Sequence, residues 1–441
     1  MPFRCHARVV AFAGCAALTL GLAALPGTTA AAHDRDRAAR AVLPAGDGWG
    51  SAEGSVTGGA AADENHVFTV RTREELATAL AEGGDTPKII RISGTIDANS
   101  DASGAPLACE DYATDGYTLD GYLAAYDPAT WGRKDPSGPL EDARAASAAR
   151  QRERVVLRVG SNTTLIGAGR DARLLGATLD VRGEENVIIR NLTFEDAFDC
   201  FPQWDPTDGE FGEWNSDYDN LVLYGARHVW VDHNTFTDGR RPDAEQPRHF
   251  GRLFQQHDGQ LDIVRGTDLV TVSWNVFTEH DKTVLVGSSD SVTADRGRLR
   301  TTFHHNLFHN VNDRAPRVRF GQVDAYNNHY RQDPDARYSY SYSFGIGFES
   351  ALVAEYNAFT LPADVDPASV LHRWNAGTGL TENGNYVNGR PVDLLAAHNA
   401  ANPDAQLGDD AGWTPELRRR VDHPRAVPFL VNAWAGAGKL R

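Results

Sequence analysis

The stretch "HVWVDHNTF", residues 228–236, decides the fold, because it returns in altered form down the chain. "LVTVSWNVF" (269–277), "TTFHHNLF" (301–308), "VDAYNNHY" (323–330) and "LVAEYNAF" (352–359) share its plan. A short β-branched or aromatic run leads to Asn, and an aromatic stands two residues on. "NVIIRNLTF" (186–194) keeps the pattern with a spacing of three. The residues Asn234, Asn275, Asn306, Asn328 and Asn357 are 41, 31, 22 and 29 positions apart. A constant unit with variable inserts is the mark of a solenoid whose insertions emerge as loops on one face. No unit can bury its own apolar side alone, so the units must stack with like residue over like. This predicts an all-β chain folded as a right-handed parallel β-helix. The Asn is expected at a bend, in left-handed backbone, bonding the Asn of the next coil. Within "HVWVDHNTF", alternation puts Val229, Val231 and His233 on one face and Trp230 and Asp232 on the other.

Outward from these units the chain divides. Residues 1–32 read as a signal peptide: Arg4 and Arg8, then the apolar "VVAFAGCAALTLGLAALPG", then small residues up to Ala30–Ala32. Residues 33–60 are small, polar and Gly-rich, and read as a flexible leader. The β-helix is expected over 61–360, with an early capping helix that has Thr72 at its N-cap and Glu75 three residues on. An insertion of helical pattern spans 100–153, and 361–441 is expected to pack along the coils or cap their end. No apolar run long enough to span a membrane follows the signal, so a secreted, extracellular monomer is expected. Of the four Cys, Cys5 and Cys15 leave with the signal. Cys109 and Cys200 remain, and in an oxidising compartment they are expected to form a disulfide. The formal net charge of −17 disfavours nucleic acid as a partner. Any polyanion would need a local basic patch or a bridging cation.

Such a patch stands in "RAPRVRFG", residues 314–321, which sets Arg314, Arg317 and Arg319 within six residues. Strand alternation turns Val318 and Phe320 to the core and Arg317 and Arg319 outward. Arg314, ahead of Pro316, falls on the entering turn, and Lys282 adds a further cation. Asp217, Asp219, Asp258 and Asp262 supply carboxylates. On a straight strand Asp258 and Asp262 would stand about 13 Å apart, so Gly259 must bend the chain if one ion is to reach both. His304 and His305, like Asp232 and His233, read as coil-stacking scaffold.

Four motifs occur in order over roughly residues 56–360: "WNSDYDNLVLYGARHVWVDHNTFTDG", "HDGQLDI", "DLVTVSWNVFTEHDKTVLVGSSD" and "RTTFHHNLFHNVNDRAPRVRFGQVDAYNNHY". Together they resemble the pectate lyases of polysaccharide lyase family 1, in particular the secreted actinobacterial type. The resemblance implies Ca²⁺ held by Asp219, Asp258 and Asp262, with Asp217 joining less regularly. It implies Arg314 as the catalytic base, with Lys282 and Arg319 binding substrate carboxylates. The implied substrate is polygalacturonate, cleaved by β-elimination to 4,5-unsaturated oligogalacturonides. An arginine base strains ordinary chemistry, since its pKa lies above 12. Calcium, Lys282 and Arg319 beside it are expected to favour its neutral form, and activity to peak at alkaline pH. Two other readings stay open. A calcium-free pectin lyase acting on methyl-esterified pectin would crowd its groove with aromatics, for which Trp204, Trp214 and Trp230 are candidates. A non-catalytic β-helix carbohydrate-binding protein would make the charged residues incidental. A hydrolase needs positioned acid pairs, and the adjoining pair Asp409–Asp410 lies in the tail.

Overall fold

The computed structural model describes residues 36–374 and 376–440; the expected signal peptide lies outside them. Three sheets, parallel apart from one antiparallel pair of strands at an end, run the length of a β-helix. Ten strands from Val67–Val70 to Thr381–Asn383 form sheet A, and ten from Thr95–Asp97 to Arg390–Pro391 form sheet B. Eight, from Val156–Arg158 to Leu371–Arg373, form sheet C. One coil runs Leu221–Tyr224 in C, Arg227–Asp232 in A and Thr235–Thr237 in B; the next repeats it as Leu261–Val264, Asp268–Ser273 and Val276–Lys282.

The repeat works as stacking requires. Val231, Val272 and Phe303 lie in one register row, all fully buried. Phe194, Phe236, Phe277, Phe308, Tyr330 and Phe359 form a stack with ring centroids 4.6–5.0 Å apart, close to the spacing of neighbouring strands. The Asn residues form a buried ladder. Each backbone N–H from Asn234 to Asn328 donates to Oδ1 of the next Asn at 2.9–3.0 Å, and Asn357 continues it to Asn385. The expected left-handed bend belongs instead to the preceding residue: Asn191, His233, Trp274, His305, Asn327 and Tyr356 all have φ of 52–57°. In the first unit this makes Asn191 the bend residue. The ladder place falls to Leu192, whose N–H donates to Asn234 Oδ1. It also moves His233 off the core face that Val229 and Val231 share.

The helix Arg73–Ala81 closes the first-coil end and buries Leu76, Ala79 and Leu80 in the main core. Thr72 accepts the Glu75 N–H as its N-cap. The coils run past residue 360, through Leu371–Arg373, Thr381–Asn383 and Tyr386–Val387, and the helix Leu394–Ala401 buries Leu394 at that end. The leader is not loose. From residue 36 to 60 it lies along the outer face of sheet A, where Gly50 and Gly59 donate to Thr271 and Thr164 hydroxyls. Leu43 and Val56 pack there on Ile188 and Trp230. The tail meets it: Trp49 packs on Trp413, and Leu440 joins the small apolar cluster of Ala39, Ala62, Ile89 and Ile166.

The long insertions, 98–155, 196–220 and 238–260, leave from the corner where sheet B passes to sheet C. The first supplies the helices Cys109–Tyr112, Leu119–Ala125, Pro128–Trp131 and Pro139–Val155. They build a lobe with an aromatic core of its own, including Tyr117, Tyr122, Phe201, Trp204, Trp214 and Phe254. The Cys109–Cys200 disulfide joins this insertion to the next.

Candidate active site

The same corner gathers the charged residues singled out in the sequence. Asp219 lies just before the strand Leu221–Tyr224, Asp258 just before Leu261–Val264, and Lys282 ends Val276–Lys282. Arg314 follows Leu307–Asp313, whose Asp313 is the register partner of Lys282. Four successive coils therefore place their acids and cations at one position on the circumference.

The bend at Gly259 brings the acids together. A Cβ built on Gly259 would lie 2.7 Å from Asp219 Oδ1 and 2.8 Å from Asp262 Oδ1, so glycine keeps open the space between the two carboxylates. The Gly259 N–H donates to Asp219 Oδ1 at 2.7 Å. Burial raises the Asp219 pKa well above the usual carboxylate range, and repulsion from Asp262 and Asp258 adds to it. Asp262 is raised by burial and by Asp258, against the pull of Arg314, Lys282 and Arg319. Asp258 lies 3.9 Å from Lys282. Asp217 turns away, exposed, into an ion pair with Arg152 at 2.9 Å.

Among the described residues no three His, Cys, Asp or Glu side chains close into a ready-made metal cage. What is present is an open pair, Asp219 and Asp262, with Asp258 beside it. Hard oxygen donors with vacant space between them fit a cation such as Ca²⁺, whose coordination accepts ligands from solution.

Arg314 has a left-handed backbone (φ 55°), and its Nε lies 3.7 Å from Asp313. Burial loosens its proton, but Asp313, Asp258, Tyr342 and Asp262 outweigh it and leave the pKa raised. The protein's own acids thus hold the Arg314 proton. Arg317 behaves as Arg314 was expected to: burial, then Arg319 and Arg314, push it down to about 10. Its guanidinium stacks 3.5 Å from the Trp374 ring centroid. Arg319 donates to Asp290 at 2.7 Å and to the Gly287 carbonyl at 2.8 Å. Val318 and Phe320 point to the core as alternation predicted.

Lys282 and Arg314 line an open cleft of about 750 Å³ with Arg248, Arg252, Arg337, Asn312, Tyr338 and Trp374. These additional lining residues escaped the sequence reading: Arg248, Arg252, Arg337 and Tyr338 come from insertions between coils, and Asn312 stands in the strand Leu307–Asp313. Trp204 and Trp214 are buried in the lobe and Trp230 under the leader, so none of the three faces the cleft. A second set of buried charges at this corner was also missed from sequence. Asp196 is paired with Arg240 and Arg241 at 2.7 and 2.9 Å. His257 bridges Asp196 and Asp243, while Asp238 meets His280 at 2.5 Å and the Tyr338 hydroxyl at 2.6 Å. His304 and His305 are scaffold as expected, stacked on Tyr326 and Trp274. Asp232 is likewise scaffold, holding Arg190, Ser273 and His233.

An open cleft along the flank of a solenoid, lined by cations together with Asp208, Glu213, Asp281 and Asp313, suits an extended polymer rather than an enclosed small ligand. The chain belongs to the pectate lyase family: the family model for pectate lyase matches residues 23–119 and 137–406. It is 45% identical over 400 residues to a pectate lyase of Bacillus subtilis (strain 168), covering 90% of this chain and 93% of that one. It is 36% identical over 363 residues to pectate lyase E of Dickeya dadantii (strain 3937), covering 80% and 78%. Among solved structures, a thermostable pectate lyase superposes with TM-score 0.89 at 45% identity, covering 91% of this chain and 99% of that one. A pectate lyase bound to a hexasaccharide superposes with TM-score 0.87 at 44% identity, with the same coverage.

Proposed function

We propose that this enzyme is exported and cleaves polygalacturonate by calcium-dependent β-elimination. The observation that carries this reading is the facing of Asp219 and Asp262 across Gly259, in the same corner as Lys282 and Arg314. The saccharide-bound relative supports an oligosaccharide in this cleft. Calcium bound by Asp219 and Asp262, with Asp258 beside them, would supply positive charge to the substrate carboxylate and acidify the C5–H next to it.

The chain's own residues do the rest. Lys282 and Arg319 bind uronate carboxylates and hold the sugar with C5 towards Arg314. Arg314 takes the C5 proton; the C–H electron pair becomes the C4=C5 double bond, and the C4–O bond breaks. The leaving oxygen takes a proton and becomes a hydroxyl of the departing chain. Negative charge grows on the carboxylate as the proton leaves, so cations fixed beside it bind the transition state more tightly than the ground state. The proton on Arg314 is held by Asp313, Asp258 and Asp262. Offsetting those acids is what frees the guanidinium to act as base, and activity should rise into the alkaline range.

Export is supported by the signal pattern at 1–32 and by the Cys109–Cys200 disulfide, which suits an oxidising compartment. The enzyme is taken to act as a monomer. The deciding assay is ultraviolet absorbance of the unsaturated product from polygalacturonate, with and without EDTA. Calcium-dependent absorbance supports the reading; EDTA-resistant activity on methylated pectin, reducing ends without absorbance, or no product at all would overturn it.

A further inference from the structure

The outward row of sheet C that contains Asp262 continues through Val222 to Asp180, two strands nearer the first coil. Two strand spacings put Asp180 roughly 10 Å from Asp262 along the flank. The next outward row is Arg182, Tyr224 and Val264, and the Arg182 guanidinium lies 3.8 Å from the Tyr224 ring centroid. At this end of the sheet lies a separate cleft of about 350 Å³, lined by Arg73, Arg158, Gly160, Asp180, Arg182 and Glu184 among others.

The bonding within it is incomplete. Asp180 is 3% exposed; its Oδ2 meets Arg182 Nε at 3.1 Å and Arg158 Nη1 at 3.7 Å. Its Oδ1 is buried and makes no hydrogen bond among the described residues. A buried carboxylate oxygen without a donor is costly, and such atoms in a cleft mark where a ligand donor fits. Arg73 is committed to the carbonyls of Glu153 and Arg154, but the Arg158 side chain is 69% exposed. The cleft thus offers two guanidiniums, one buried acceptor and the Glu184 carboxylate, whose Oε2 already accepts from the Ser161 N–H and hydroxyl. A simple anion would satisfy the guanidiniums and be repelled by Asp180. A uronic acid residue carries both a carboxylate for the first and hydroxyl donors for the second.

We propose that Arg158, Arg182 and Asp180 form an outlying subsite for a uronate residue of the same polymer strand that is bound at Lys282 and Arg314. This rests on the polygalacturonate reading above. The subsite should matter only when the substrate is long enough to fill it, since a trimer can occupy the catalytic corner without it.

The test is steady-state kinetics of wild type, Arg158→Ala, Arg182→Ala and Arg158→Lys on polygalacturonate and on a galacturonate trimer, with melting curves as the control for folding. Losing one charge-assisted contact at a partly exposed site should lower the polymer-to-trimer ratio of kcat/KM by about fivefold in each Ala variant, through KM. Arg158→Lys should recover part of that ratio. An equal loss on both substrates, or no change on either, would overturn the subsite. A wild type silent on both would overturn the lyase reading and the subsite with it.

Discussion

Asp238 and Asp219 are both buried aspartates at the corner between sheets B and C, yet their surroundings set them in opposite states. Burial pushes Asp238 up, but His280 and His257, with the Tyr338 hydroxyl, outweigh it and leave the pKa lowered. Burial pushes Asp219 up, and its strongest further influences are two more acids. The first group is balanced from within the chain. The second is only partly balanced, by the Gly259 N–H and Arg314, and that difference separates the two groups at a corner where residue type alone does not.

Neutralisation should break the contrast in opposite directions. Asp238→Asn removes the carboxylate that holds buried His280, and should cost about 3–5 kcal/mol of unfolding free energy in denaturant titrations. Asp219→Asn or Asp262→Asn should instead raise the apo melting temperature, since each removes a repulsion. The same variants should lose about a hundredfold in kcat/KM on polygalacturonate, close to 2.7 kcal/mol of barrier. A stable Asp238→Asn, or a destabilised Asp219→Asn, would erase the distinction.

Adding calcium sharpens it. Saturating calcium against EDTA should raise wild-type stability by about 2–3 kcal/mol near 100-fold excess over Kd, read as a melting shift. Asp219→Asn should lose most of that shift, whereas Asp232→Asn, in the scaffold, should keep it.

The pH dependence carries the same contrast. Asp219 and Asp262 have raised pKa values, so the folded apo state binds protons more tightly than the unfolded chain. Apo stability should therefore fall as pH climbs from the ordinary carboxylate pKa to the raised one, by about 1.4 kcal/mol for every pH unit crossed between them. Asp238 is lowered, so its contribution is present above its unfolded pKa and lost as pH falls through the folded one. His280 is raised, so its share is complete below its unfolded pKa and lost as pH climbs through the folded value. Melting curves of Asp219→Asn in EDTA should show the shallower fall from about pH 4 to pH 8.

The coils were legible because stacking imposes a local rule: Asn306 must sit where Asn275 and Asn328 sit, and the spacing of Phe277 and Phe308 follows. The rule did not reveal that the left-handed bend falls one residue earlier, since His305 and Trp274 carry no mark of that conformation. The corner was legible in its members, because "RAPRVRFG" and "HDGQLDI" concentrate chemistry in few residues. The ion pair of Asp217 was not legible, because its partner, Arg152, arrives on an insertion helix with no periodic relation to it. Asp196, Asp238 and His257 were missed for a similar reason: their pairing joins loops from different coils. The lobe likewise depends on Tyr122 of one insertion meeting Trp204 and Trp214 of another.

The meeting of leader and tail on sheet A has a practical consequence. Ala39 and Leu440 share one apolar cluster, so the first and last described segments lie side by side. A short peptide could splice them into a ring, and new ends could be opened at an outer turn of the lobe. The order in which the ribosome delivers the coils would then change while the cutting edge kept its geometry, a rewiring that would report which coil seeds the stack.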